Sequence, residues 1–126
     1  MQTPLAWLPS GSFKPSRYKP GNVGNWSGHL PFARDLVIAS RPALLCELGT
    51  HYGESYFGFC QAIAENKIPS VAYAVDTWVG EIQSGFYNED VYQEVSAYNE
   101  ANFKSFSYLL RSLFDDALTQ FADESI

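Results

Sequence analysis

Chemically versatile residues are scarce in this 126-residue chain. It has two cysteines, Cys46 and Cys60, and two histidines, His29 and His51. None of the four stands in the close Cys/His spacing that holds zinc, so no metal centre is expected. The cysteines read as small buried hydrophobes rather than as a disulfide, which makes the cytoplasm the expected compartment. No apolar run approaches the roughly 18 residues of a membrane span. No long apolar stretch follows a basic start, so a secretory leader is not expected either. Basic residues number eight against fourteen acidic ones, and an acidic body argues against nucleic acid as a main partner. Also missing is the closely spaced G-x-G-x-x-G of dinucleotide enzymes.

What remains is a chain with enough apolar residues, 46%, to build a core. Its length fits one domain. Charge is unevenly spread. Residues 1–42 carry five basic residues against one acidic, a net of +4, and residues 43–126 carry three against thirteen, a net of −10. The lead-in reads either as solvated or as a basic arm that touches an anionic substrate. Residues 1–25 hold four of the seven prolines and three of the nine glycines. That segment is expected to be irregular, ordered only where Trp7 or Phe13 docks. The domain proper is expected over 26–126.

From Ser27, a candidate helix cap, apolar residues recur at roughly helical spacing until Pro42 stops them. Ala43–Leu48 is a short apolar run closed by Gly49, which favours a buried strand. Glu54–Asn66 reads as a helix with Tyr56, Phe59, Cys60, Ile63 and Ala64 on one face. Val71–Val75 is a second strand ending in Asp76, and Thr77–Gly85 a loop. Phe86–Phe103 reads as a helix with Tyr87, Val91, Val95, Tyr98 and Asn102 along one side. Ser107–Leu113 fits a third strand, and Asp115–Ala122 a short helix. Strands alternating with helices predict an α/β fold, a Rossmann-like doubly wound parallel sheet with right-handed crossovers.

The chemistry is expected where the first strand hands over to the next helix, at Glu47-Leu48-Gly49-Thr50-His51-Tyr52-Gly53-Glu54-Ser55. Gly49 permits a sharp turn and a close ligand approach. Gly53 lets the helix pack close, and that helix presents unpaired N–H groups at its start. A carboxylate two residues before Gly49 would repel a pyrophosphate and attract the ammonium of an amino-acid tail. That difference favours S-adenosylmethionine over a nicotinamide dinucleotide. Asp76 ends the next strand, where such sheets meet ribose hydroxyls. Thr77 and Trp78 follow it, and Trp78 offers an apolar wall to a ring. Asp115, past the third strand, is placed to accept from an adenine amino group. Each has a plainer alternative: Asp76 a loop cap, Asp115 a helix cap, Glu47 the partner of a structural Arg. His51 reads as a loop side chain beside the ligand, and His29 as a cap or as a wall of the acceptor site. The tyrosines Tyr87, Tyr92 and Tyr98 read as core or surface. No catalytic base is assigned.

The stretches ELGTHYGESYFGFCQAI, YAVDTWVGE, GFYNEDVYQEV and FDDALTQFADESI resemble class I S-adenosylmethionine-dependent methyltransferases. The similarity is nearest to a bacterial group found in cell-surface polysaccharide clusters, sometimes joined to glycosyltransferase domains. It covers roughly residues 26–126. It implies that Glu47, Gly49 and Gly53 form the first cofactor motif, that Asp76 grips the ribose with Trp78 nearby, and that Asp115 lies near the adenine. It also implies a small-molecule or glycan acceptor. In that family a fourth strand and more follow, so this chain is expected to carry the cofactor-binding half, truncated after the third strand–helix unit. The first strand is then expected to have an open edge through which the chain self-associates. A cofactor-binding remnant without catalysis is the alternative function, and a nicotinamide oxidoreductase a weaker one.

Overall fold

The computed structural model describes residues 29–81, 85–86 and 88–123. The expectations for the lead-in, the Ser27 cap and Tyr87 lie outside the described residues. Helix α1 (Leu30–Ser40) begins at His29 and carries Pro31 in its first turn, where a missing N–H costs nothing. It ends at Arg41 in a left-handed conformation that returns its N–H to the Val37 carbonyl, just before Pro42. Strand β1 (Leu44–Leu48), helix α2 (Glu54–Glu65) and strand β2 (Val71–Asp76) follow. The Thr77–Gly85 segment, expected to be a loop, and Phe86, expected to open the next helix, instead contain a two-residue antiparallel pair, β3 (Gly80–Glu81) with β4 (Gly85–Phe86). Helix α3 (Glu89–Asn102), strand β5 (Ser107–Arg111) and the short helix α4 (Phe114–Leu118) complete the order.

The main sheet is parallel, in the order β1-β2-β5. Leu44 pairs with Val71 and Leu48 with Val75, while Ala72 pairs with Ser107 and Asp76 with Arg111. Strands alternating with helices in this sheet make the Rossmann-like α/β arrangement read from the sequence. Among the described residues, β1 pairs with β2 alone.

The sheet's two faces differ. Ala72 and Ala74 on β2 are fully buried under α2 and α3. Their small side chains let the aromatics of those helices approach: Phe57 packs on Tyr98 and Phe103, with ring centres 4.7 and 5.8 Å apart. Burying a large apolar side chain of this kind stabilises by about 1.5–3 kcal/mol. The opposite face carries α4, whose neighbour Phe121 meets Tyr73 edge-on at 5.1 Å. Tyr108 on that face stays 48% exposed.

Burial on α2 is wider than one stripe. Phe57, Gly58 and Ala62 are buried along with Tyr56, Cys60 and Ile63, whereas Ala64 is exposed. The reason is a second neighbour: α1 packs along α2, and Leu30 lies 3.0 Å from where a Gly58 side chain would start. On α3 the inward residues are Val91, Val95 and Asn99, and Asn102 is exposed. Asn99 is tolerated inside because Ser107 satisfies it. Its amide donates to the Ser107 carbonyl at 3.2 Å and its oxygen accepts the Ser107 hydroxyl at 2.6 Å. That hydroxyl's proton is thereby committed, so the Tyr56 hydroxyl, 2.6 Å away, donates to it. Both cysteines are free thiols, and burial pushes Cys60 up to about 12, so it stays protonated.

Candidate functional site

The turn after β1 is built by two glycines in left-handed conformations, Gly49 at φ 86° and Gly53 at φ 82°. Gly49 continues the ladder by donating to the Val75 carbonyl at 2.8 Å. Gly53 closes the turn onto the Thr50 carbonyl at 2.8 Å and is the residue from which α2 starts. A side chain at Gly53 would begin 2.5 Å from the Phe57 ring, so the position needs glycine for space as well as for conformation.

Asp76 organises this turn. Its Oδ2 accepts the backbone N–H groups of Thr50 at 2.9 Å and His51 at 2.8 Å, and its Oδ1 accepts that of Trp78 at 2.8 Å. His51 and Trp78 are left-handed non-glycine residues, at φ 54° and 56°. Such conformations cost about 1 kcal/mol or more each and persist where the surroundings hold them. Here one carboxylate holds both. Trp78 adds a bond from its indole N–H to the His51 carbonyl at 2.8 Å. The loops after β1 and β2 are thus tied to each other through Asp76 and Trp78. Three of the roughly four lone-pair directions of the Asp76 carboxylate are taken by backbone, which limits it to less than the two ribose hydroxyls expected of it. Trp78 is 1% exposed and packs on Tyr92 at 5.1 Å. Its indole is a core element enclosed by α3, not an open wall.

Glu47 lies on the β1 face that α2 covers, in register with Ala74. Its Oε2 accepts the Ser55 hydroxyl at 2.6 Å. Its Oε1 is sealed from solvent and has no hydrogen-bond partner among the described residues. Among the described residues, no arginine pairs with it, contrary to the alternative reading. Burial pushes the carboxyl up to about 7, opposed by the Ser55 hydrogen bond and the nearby Thr50 hydroxyl and helped by the Asp76 charge. Glu47, Gly49 and Ser55 face a cleft of about 350 Å³ whose remaining walls are Leu48, Phe59 and residues of α1, among them His29, Phe32 and Leu36. Thr50 Oγ1 and Glu54 Oε1, from the same turn, are likewise buried with no hydrogen-bond partner among the described residues.

The rim is formed past β5. Asp115 lies in the first turn of α4 and is exposed. The helix is capped from Leu113 without a side-chain bond, so Asp115 is not its cap. Phe114, which the sequence reading passed over, brings its ring to 3.8 Å from where a Gly49 side chain would begin. Arg111 joins three elements. Its guanidinium pairs with Glu89 of α3 through both oxygens, donates to the Thr77 carbonyl at 3.2 Å, and lies 4.4 Å over the Tyr92 ring. That pairing raises the Arg111 pKa and lowers that of Glu89. Thr77 therefore meets the site through its backbone. A sequence scan for carboxylates and glycines has no reason to stop at Phe114 or Arg111, since their roles depend on which strand ends become neighbours.

The structure thus brings Glu47, Gly49, Thr50, Gly53, Ser55, Asp76, Thr77 and Trp78 to one end of the sheet, with Asp115 at its edge. Among the described residues, no group of three His, Cys, Asp or Glu side chains is arranged to hold a metal, and no helix is long and apolar enough to cross a membrane. Residues 46–126 match a family described as "Methyltransferase domain". Over 101 residues, 80% of this chain, the sequence is 48% identical to the uncharacterized protein y4gI of Sinorhizobium fredii (strain NBRC 101917 / NGR234). The match covers 11% of that protein's length.

Proposed function

The chain belongs to this family of methyltransferase domains, and from that footing we propose that it binds S-adenosylmethionine and serves methyl transfer to a small-molecule or glycan acceptor. The observation that carries the reading is the Glu47 carboxylate: one oxygen taken by Ser55, the other buried and without a partner among the described residues, beside a cleft that reaches Gly49. A buried acceptor of this kind calls for a cation or donor group. The ammonium of an amino-acid tail meets that need, and a pyrophosphate would aggravate it. The residues present therefore suit this cofactor.

When bound, the cofactor supplies a methyl group activated on a sulfonium. Glu47 and Ser55 would hold its amino-acid tail. Gly49, lacking a side chain, would let the adenosyl portion approach the backbone, and the N–H groups at the start of α2 would favour the tail's carboxylate. Asp76 would contribute chiefly by holding the Thr50–His51 backbone and the Trp78 loop in place, with at most one lone-pair direction toward the ribose. Asp115, exposed at the start of α4, would accept from the adenine amino group. The acceptor would enter beside His29, Phe32 and Leu48, on the α1 side of the cleft. Rate enhancement in such a site comes mainly from positioning the two reactants.

Titration calorimetry with S-adenosylhomocysteine tests the reading. Wild-type protein is expected to bind. Glu47→Gln is expected to bind roughly 10- to 100-fold more weakly, the equivalent of one hydrogen bond to a charged group. An absence of wild-type binding, or equal affinity in the variant, would overturn it.

A further inference from the structure

On the side of Gly49 away from the α1 cleft, an aromatic ring reaches over the carboxyl ends of the strands. Gly49 follows β1, Phe114 follows β5, and β2 lies between them. Neighbouring strands are about 4.8 Å apart, so the two strand ends are separated by about 10 Å. The Phe114 ring nevertheless reaches within 3.8 Å of the Gly49 side-chain position, and α4 rests against β2. The ring must therefore pass across the end of β2, above Asp76. Ligands of parallel α/β sheets sit in that crevice.

We propose that Phe114 is a self-occluding side chain, which closes the Gly49 crevice in the empty protein and has to swing aside when the cofactor enters. This rests on the function proposed above. Three features fit such a gate. The ring is 45% exposed, so moving it outward uncovers little new apolar surface. Its neighbours Leu113 and Leu118 are 62% and 58% exposed, so this rim is not locked into the core. A side chain added at Gly49 would meet the ring at ordinary van der Waals distance, so the glycine itself leaves the ring loosely held at this position. Trp78 cannot play this part, because its indole is buried and bonded to the His51 carbonyl. The occluded fraction lowers apparent affinity in proportion to the time the crevice is closed.

Two measurements test the proposal. In the free protein, nuclear Overhauser contacts between the Phe114 ring and the Gly49 α-protons are expected, and they are expected to vanish when S-adenosylhomocysteine is added. In calorimetry, Phe114→Ala is expected to bind that ligand roughly three- to tenfold more tightly than wild type, with circular dichroism confirming an intact fold. Contacts absent from the free protein, or contacts that persist in the complex, overturn the gate. Weaker binding by Phe114→Ala would make the ring a wall of the occupied site and also overturn it. Failure of both wild type and Phe114→Ala to bind would instead remove the cofactor reading on which the gate depends.

Discussion

Removing the Asp76 carboxylate should unfasten the two loops that make the site. Three N–H groups, of Thr50, His51 and Trp78, end on its two oxygens at 2.8–2.9 Å, and the residue is only 9% exposed. A hydrogen bond to a charged group contributes about 1.5–3 kcal/mol, and an orphaned buried donor costs about 1–3 kcal/mol. Asp76→Ala loses all three bonds, for a cost of roughly 4–9 kcal/mol, which is comparable to the whole stability of a small domain at about 5–15 kcal/mol. Asp76→Asn is the sharper test, because it preserves shape. With its oxygen turned toward Thr50 and His51, its amide meets the Trp78 N–H donor to donor, so one bond is lost and two lose their charge. That should cost roughly 2–3 kcal/mol. At about 4 °C per kcal/mol for a chain of this length, the melting temperature should fall by about 10 °C. Thermal melts followed by circular dichroism give the number, and amide hydrogen exchange at Thr50, His51 and Trp78 locates the loss. An Asp76→Asn variant that melts within about 2 °C of wild type would refute the idea that this carboxylate holds the turn.

Two further outcomes are expected. The Glu47 carboxyl, raised to about 7 from the usual 4.5, keeps its proton in the folded chain at pH values where the unfolded chain has lost it. Its contribution to stability therefore declines as pH rises from about 4.5 to 7. Glu47→Gln should remove that slope and be more stable above pH 7 by roughly 1–3 kcal/mol; urea midpoints across pH that keep the wild-type slope would contradict this. Gly53→Ala places a methyl group 2.5 Å from the Phe57 ring at a left-handed position. It should cost roughly 2–4 kcal/mol, read as a lower urea midpoint, and an unchanged midpoint would mean that the ring yields freely.

Much of the fold was legible along the chain. The short apolar runs that became β1, β2 and β5 were bounded by Gly49, Asp76 and the residues after Arg111, and the amphipathic stretches between them became α2 and α3. Those signals are local: apolar periodicity, turn residues and chain breakers act within a few positions. The limits of α3 and β5 were drawn too long, and the β3–β4 pair was missed. Two-residue strands have no periodicity to read, and a strand's end depends on where its neighbour stops. Asn99 was overlooked as a core residue because its burial depends on Ser107, eight positions away and on another element.

The same division runs through the site. The residues Glu47-Leu48-Gly49 and the Asp76 strand end are enough by themselves to suggest a ligand crevice and the charge it would prefer, since a carboxylate beside a glycine turn has the same electrostatic preference in any fold of this kind. What each residue does there was decided by tertiary structure. Asp76, read as a ribose ligand or a loop cap, caps its own loop at the Trp78 N–H and also takes the Thr50 and His51 backbone. Trp78, read as a wall, lies in the core, and Phe114, read as nothing, lies over Gly49. These outcomes turn on which strand ends become neighbours and which lone pairs the backbone claims first. Apart from the Asp76–Trp78 cap, both are set by distances between residues far apart in the chain, up to the 65 positions between Gly49 and Phe114, and no local pattern records them.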